Sequence, residues 1–394
     1  MSDNHDNNEH YDILFVDTVE KLEKFCTDIK QAPFLVIDTE FIREKTYRAN
    51  LCLIQIATDS LVACVDPLAL PDLSPLMKII YDEDKLKVLH AARQDYEIFH
   101  DMNKKLPQPV FDTQLAASLL GYGEQVGYAS LVNKVLNVQL NKAHSRTDWS
   151  KRPLSQEQIQ YASDDVFYLR KIFPLLQQQL IDSGRETWLE NDFTALCQPE
   201  TFITHPKDAW KRVKGVSRLR PRQLAAAKNL AKWREQVAID RNKPRRWILA
   251  DDLVIAIAQL SPTTISQLST IATLTKSTIE NSGNAILECI QDALKIDKAD
   301  LPVTAKPTRL SPDQEIIADI LMAQLRLSAN EQNISPTNIA SRKDIEKIIL
   351  GETDIPLLKS WRYKLAGEKI QNLLTGKYCL EIKQGKVCQK ENTP

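Results

Sequence analysis

The chain reads as an α/β domain followed by two small all-α helical domains. Three observations predict this. Short apolar runs rich in β-branched residues, at residues 34–37, 51–57 and 61–66, alternate with helical patterning in the first half of the chain. Beyond Asn191 such strand signals stop and the remainder reads as helical. There the residues also repeat at a separation of 92: Arg234 matches Arg326, Pro244 matches Pro336, Asp252 matches Asp344, and Leu253 and Ile257 match Ile345 and Ile349. Repeats of whole small domains leave such a trace, and Pro302, Pro307 and Pro312 mark a linker between the copies. The expected boundaries are a disordered tail over 1–10, the α/β domain over 11–204, helical domains over 205–300 and 301–380, and a tail over 381–394.

Phe34-Leu35-Val36-Ile37 runs straight into Asp38-Thr39-Glu40-Phe41, a buried strand ending in two acids one residue apart. Side chains on a strand share a face at every second residue, so Asp38 and Glu40 point the same way. Leu51 to Ala57 and Leu61 to Asp66 follow with only Thr58-Asp59-Ser60 between them, and the three strands make a meander. Leu73 to Tyr81 reads as a helix, Lys87 to His90 as a short strand, and Gln94 to His100 as a helix with Asp95 in its first turn. An aspartate there suits the helix dipole as well as chemistry. Asp112 is placed to cap the helical run after Thr113-Gln114, and Gly121, Gly123 and Gly127 form a break. From Ser155, spaced as a capping box with Gln158, a long helix brings Tyr161 and Asp165 onto one face, with Asp164 turned about 100° toward solvent.

The 394 residues suffice for two or three domains, with 43% apolar and 26% charged residues and no apolar run long enough to span a bilayer. A membrane role is not indicated, and the polar start, Met1 to His10, lacks the pattern of a secretory signal. Seven scattered cysteines without a C-x-x-C pair suit a reducing cytoplasm and give no zinc signature. Residues 206–250 hold 14 Lys/Arg against three acids, within a chain whose total is only −1. That asymmetry predicts an acidic catalytic body joined to a basic module. Over matched windows of the repeat, 217–258 carries +6 and 309–350 carries −1, so the copies differ in surface.

Two carboxylates as close as Asp38 and Glu40 repel unless a cation or shared proton offsets them, and Mg²⁺ or Mn²⁺ prefers such oxygen ligands. With Asp95, Tyr161 and Asp165 they make four acids and a tyrosine drawn from three segments. This set resembles the DEDD superfamily of 3′-5′ exonucleases, in the branch whose third motif is Tyr-x-x-x-Asp. Ile37-Asp38-Thr39-Glu40-Phe41, His90 with Asp95, Asp112-Thr113-Gln114, Ser145-Arg146-Thr147-Asp148-Trp149, Tyr161-Ala162 and Asp165-Val166, in that order, resemble the ribonuclease D family more closely still. Residues 230–262, with Trp233-Arg234, Pro244, Asp252-Leu253 and Pro262, resemble the HRDC domain. The second copy fits less well, with Leu325 in place of Trp233.

The resemblance implies a ribonuclease H-like exonuclease domain, a mixed sheet flanked by helices, carrying two HRDC-type domains. It implies two divalent ions, with Asp38 bridging both, Glu40 and Asp165 on the nucleophile side, Asp95 on the other through water, and Tyr161 orienting the attacking water. It further implies a cytoplasmic, monomeric exoribonuclease acting on tRNA precursors and other small structured RNAs. The alternatives are a DNA 3′-5′ exonuclease and a non-catalytic RNA-binding scaffold; the full set of acids argues against the latter. Phe41 is read first as a core residue, with a wall of the cleft as the alternative, and His90 as a structural hydrogen-bonder rather than a ligand. Arg218, Arg220, Arg222, Lys228, Lys232, Arg234, Arg241, Lys243, Arg245 and Arg246 are the expected RNA-backbone contacts.

Overall fold

The computed structural model describes residues 11–141, 147–303 and 309–392. The expected tail over 1–10, Ser145-Arg146 and Pro307 lie outside the described residues. The first part alternates strands and helices: β1 (Leu14–Val16), α1 (Val19–Asp28), β2 (Phe34–Ile42), β3 (Asn50–Ala57), β4 (Val62–Val65), α2 (Ser74–Ile80), β5 (Leu86–Leu89), α3 (Arg93–Asn103), β6 (Val110–Asp112), α4 (Thr113–Leu119), α5 (Tyr128–Leu136), α6 (Gln156–Asp182) and α7 (Glu190–Leu196). The six strands form one sheet in the order β1-β4-β3-β2-β5-β6. β2, β3 and β4 are the antiparallel meander, whereas β1 joins β4, β5 joins β2 and β6 joins β5, each in parallel. The short β1 and β6 carry too few residues to show a strand period, and only pairing with neighbours defines them.

Both faces of the sheet are covered, which is why β2 is apolar on both sides over Leu35, Val36 and Ile37. Leu35 and Ile37 pack with Leu22, Phe25, Leu76, Tyr96 and Phe99 on one face. On the other, Val36 meets Val166, Leu169 and Ile172 of α6, while Leu53 and Cys64 meet Ile159 and Ala162. A capping box, with Ser155 and Gln158 each bonding the other's backbone N–H, starts α6.

The rest is helical up to its last segment: α8 (Pro221–Asp240), α9 (Arg245–Ile248), α10 (Asp251–Leu260), α11 (Ile265–Leu268) and α12 (Lys276–Lys295), then α13 (Pro312–Glu331), α14 (Pro336–Ile339), α15 (Arg342–Ile349), α16 (Ser360–Arg362) and α17 (Glu368–Leu374). Helix α13 starts 91 residues after α8, α14 91 after α9, and α15 91 after α10. The repeat is therefore in register at 91, not 92. The two prolines misled the alignment, because Pro244 caps α9 while Pro336 is the first residue of α14, and a helix start accepts proline at either place. At the corrected register buried Arg234 corresponds to buried Leu325.

The first helical unit has its own core, built on Leu224, Leu230, Val254, Ile257, Ile286 and Ile290. The second does not stand alone: Leu321, Leu325, Ile345, Trp361 and Ile370 belong to the same apolar cluster as Phe167 and Leu176 of α6. Trp361 stacks on Trp188 with centroids 4.3 Å apart and donates to its carbonyl at 2.9 Å. Asn338 Nδ2 donates to Ser118 O at 2.8 Å. The expected terminal tail over 381–394 is corrected over its described part: β7 (Tyr378–Lys383) and β8 (Lys386–Glu391) pair as an antiparallel hairpin. Gln384 and Gly385, both at positive φ (49° and 75°), turn it.

Candidate active site

Asp38 and Glu40 lie on the face of β2 that looks toward α6, and the register with β3 shifts immediately after Glu40. Such a bulge re-aims the side chains at a strand end. From α6, Asp165 comes to meet them: one oxygen from each of Asp38, Glu40 and Asp165 lies within 4.8 Å of the others. Asp95 stands apart from that trio because the opposite face of β2 holds it, Thr39 Oγ1 donating to its Oδ1 at 2.5 Å. Its place at the start of α3 is set by Asp112, whose carboxylate accepts from Ala91 N (3.2 Å) and Ala92 N (2.9 Å) as well as from Gln114 N (2.8 Å) and Leu115 N (3.3 Å). Asp112 thus caps α4, as expected, and also holds the left-handed turn at Ala91 (φ 58°).

Burial and mutual repulsion hold these acids in their neutral form more strongly than in water. Burial first, then the charges of Asp95 and Asp165, raises the Asp38 pKa well above the carboxylate range. Glu40 is pushed up to about 9 by burial and by Asp38 and Asp95. Burial raises Asp95 to about 7 against the opposing hydrogen bond from Thr39. Asp165 is likewise raised, by burial and then by Glu40 and Asp164. A cation would discharge this cluster. The donor set is purely carboxylate oxygen, which fits a hard divalent ion and not a zinc site.

The cleft around the acids has a volume of about 870 Å³ and is lined also by Phe41, His90, Tyr128, Trp149 and Tyr161. Tyr161 sits one turn before Asp165, its ring centroid 6.1 Å from that of Trp149. Burial and the nearby Asp165, Glu40 and Asp38 raise its hydroxyl pKa, so at neutral pH it keeps its proton and can donate. Trp149 is held by Arg152, whose guanidinium bonds the Trp149 carbonyl (2.7 Å), Asp66 (2.6 and 2.7 Å) and the Cys52 carbonyl (2.7 Å). His90 acts structurally: Nε2 lies 3.0 Å from Val126 O and Nδ1 3.0 Å from Thr113 Oγ1. Asp164, expected in solvent, instead accepts from Tyr11 at 2.7 Å and Gln160 at 2.9 Å, because the chain start folds back over α6.

Two residues of this region escape sequence reasoning. The Tyr128 hydroxyl is buried and donates to Asp164 O at 2.8 Å, bracing α5 against α6. Gln55, directly opposite Asp38 in the β2/β3 register, is fully buried, and neither of its amide atoms has a hydrogen-bond partner. A polar residue inside the apolar run Leu53 to Ala57 was the available signal.

Two of the expected RNA contacts are corrected. Arg234 is 1% exposed, its Nη1 donating to Leu249 O (2.9 Å) and Asp251 Oδ1 (2.7 Å), so it belongs to the core of the first helical unit. Arg222 is half-buried and its Nη1 is spent on the carbonyls of Ala293, Leu294 and Ile296 at the end of α12. Arg218, Arg220, Lys232, Arg241, Lys243 and Arg246 are exposed, and Lys228 and Arg245 partly so.

Residues 13–181 match the family model described as 3′-5′ exonuclease, and residues 223–290 match the HRDC domain. The ribonuclease D of Bartonella henselae is 37% identical over 94% of this chain and 92% of its own length. That of Zymomonas mobilis is 39% identical over 93% of this chain and 95% of its own.

The chain belongs to the ribonuclease D family.

Accordingly it is a metal-dependent 3′-5′ exoribonuclease. The fold agrees: the crystal structure of Escherichia coli RNase D, described as an exoribonuclease involved in structured RNA processing, superposes with a TM-score of 0.81 at 29% identity, covering 93% of this chain and 99% of that one. Among the described residues no helix is long and apolar enough to cross a membrane.

Proposed function

We propose that this ribonuclease D trims the 3′ ends of tRNA precursors and other small structured RNAs, releasing 5′-mononucleotides. In this reading Asp38, Glu40, Asp165 and Asp95 hold two Mg²⁺ or Mn²⁺ ions. The observation that carries it is the convergence of Asp38, Glu40 and Asp165 oxygens within 4.8 Å beside the Tyr161 hydroxyl. When bound, the ions supply an acidified water and neutralise charge on the phosphoryl oxygens. Asp38, Glu40 and Asp165 supply the negative charge that concentrates them there, and Asp95, fixed by Thr39, closes the cluster from the other side of β2. Tyr161 donates a hydrogen bond that orients the attacking oxygen; its raised pKa suits that role and not that of a base. Phe41 and Trp149 wall the cleft with apolar surface against which the terminal nucleotide packs.

In this reading the enzyme is a monomer, and its seven free cysteines support a reducing, cytoplasmic location. The exposed Arg218, Arg220, Lys232, Arg241, Lys243 and Arg246 supply backbone contacts that tolerate many sequences. A tRNA with a 3′ extension, incubated with Mg²⁺ or Mn²⁺, should be shortened stepwise by the wild type. Asp38→Ala should abolish trimming while RNA binding persists, and unchanged trimming would remove Asp38 from the site. Matched DNA oligonucleotides are expected to be poorer substrates; equal rates would favour the broader DNA exonuclease reading.

A further inference from the structure

The active-site cleft does not end at the exonuclease domain. Arg43, Glu44 and Thr46 line it, and the same three residues line a second cleft of about 800 Å³. The second cleft runs between the exonuclease domain and the first helical unit, with His100 and Asp101 of α3 on one side and Arg245 and Arg246 of α9 on the other. The shared wall is the loop over 43–48, which follows directly on the strand that carries Asp38 and Glu40.

That wall is built, and the helical domain builds it. Asn242 Oδ1 accepts from Tyr47 N and Arg48 N, both at 3.1 Å, and Asn242 itself adopts a left-handed conformation, φ 46°, to do so. The Tyr47 hydroxyl donates to Oε1 of fully buried Glu235 at 2.6 Å, and Arg245 lies 3.7 Å from the other oxygen. The two domains are therefore fastened across the cleft through Tyr47 and Arg48 on one side and Glu235 and Asn242 on the other.

Six cations line it: Arg43, Arg48, Lys104, Arg212, Arg245 and Arg246. Four carboxylates, Glu44, Glu97, Asp101 and Glu235, line it too, so positive charge is in excess. Most pairings among them are loose or exposed. Arg48 and Lys104 share Asp101 at 3.7 Å each, and Arg43 pairs with Glu97 at 2.8 Å with both side chains more than a third exposed or nearly so. Exposed pairs of this kind hold only weakly, so a phosphate can replace the carboxylate. Phe202 lends the cleft an aromatic surface.

We propose that this interdomain cleft is the track for single-stranded RNA immediately upstream of the 3′-terminal nucleotide, its phosphates gripped by arginines from both domains. The proposal rests on the acidic cleft being the active site; it assigns RNA contacts to Arg43, Arg48 and Lys104, outside the basic stretch 206–250, and to Arg212 within that stretch. Contact by both walls makes trimming depend on the length of the unpaired 3′ tail: a long tail fills both clefts, whereas a dinucleotide reaches only the first.

The test uses the full-length enzyme, hairpin RNAs with 3′ tails of graded length, and a dinucleotide. For wild type, kcat/KM should rise with tail length. In Arg48→Ala/Arg246→Ala the ratio of kcat/KM for the longest tail to that for the dinucleotide should collapse toward one. The salt dependence on the long tail should become shallower by about 1.4 in log–log slope, for two lost contacts to a single strand. A melting temperature equal to wild type establishes that the variant is folded. A wild-type ratio in the variant, or no tail-length dependence in wild type, overturns the proposal. Equal loss on dinucleotide and long tail also overturns it, because the arginines then act on the active site. If wild type cleaves no substrate with either metal, the reading of the acidic cleft itself has failed.

Discussion

Glu40→Gln separates the two effects of crowding acids into one cleft. In the metal-free protein burial, with Asp38 and Asp95 beside it, pushes the Glu40 pKa from 4.5 up to about 9. The folded state thus binds this proton more tightly than the unfolded state does. The stability it contributes is complete below pH about 4.5 and is lost as pH rises toward 9. Over that window the loss accrues at about 1.4 kcal/mol per pH unit, or roughly 4 kcal/mol between pH 5 and pH 8. Glu40 is only partly shielded at the open side of the cleft, so solvent screening reduces this to about 2 kcal/mol. Glutamine keeps the shape and is neutral throughout. In chelator, the variant should melt with wild type near pH 5 and about 4–8 °C above it at pH 8, at 2–4 °C per kcal/mol. Mg²⁺ should raise the wild-type melting temperature more at pH 8 than at pH 6, raise that of the variant far less, and leave the variant inactive. The assay is a melting series over pH with and without Mg²⁺. A metal-free variant melting at or below wild type at pH 8 would refute the account of a site strained by its own charge.

Arg234→Ala should destabilise the first helical unit by about 3 kcal/mol, the low end for a broken buried pair because Asp251 keeps 30% exposure. Denaturant unfolding measures this, and the salt slope of RNA binding by the folded protein should not change; a shallower slope would return Arg234 to the RNA surface. Gln55→Leu removes a buried amide without partners and should stabilise the metal-free protein by about 1–3 kcal/mol, seen as a higher melting temperature. A drop instead would show that the amide is satisfied in solution.

Much of the site was readable because its chemistry is tied to short-range geometry. Asp38 and Glu40 share a face by the period of a strand, Tyr161 and Asp165 by the period of a helix, and the Ser155 capping box marks where that helix starts. What failed was whatever depended on a distant partner. Arg234 looked like its basic neighbours until packing placed it against Asp251 and Leu249 O, and Asp164 looked solvated until Tyr11 reached it. The repeat betrayed two related helical units but not their different fates. The second merges its core with the exonuclease domain through Leu321, Trp361 and Ile370, so cutting the chain at residue 205 would expose apolar surface on α6.

By itself, then, the sequence determined the family, the acids and their faces, since these follow from residue type and local period. Only the tertiary structure decided that Thr39, on the opposite face of β2, holds Asp95 apart from the Asp38–Glu40–Asp165 trio, and that a loop beside that trio is held by Asn242 some 195 residues away. Contacts between residues so far apart depend on how whole domains pack, and no local pattern in the chain encodes that directly.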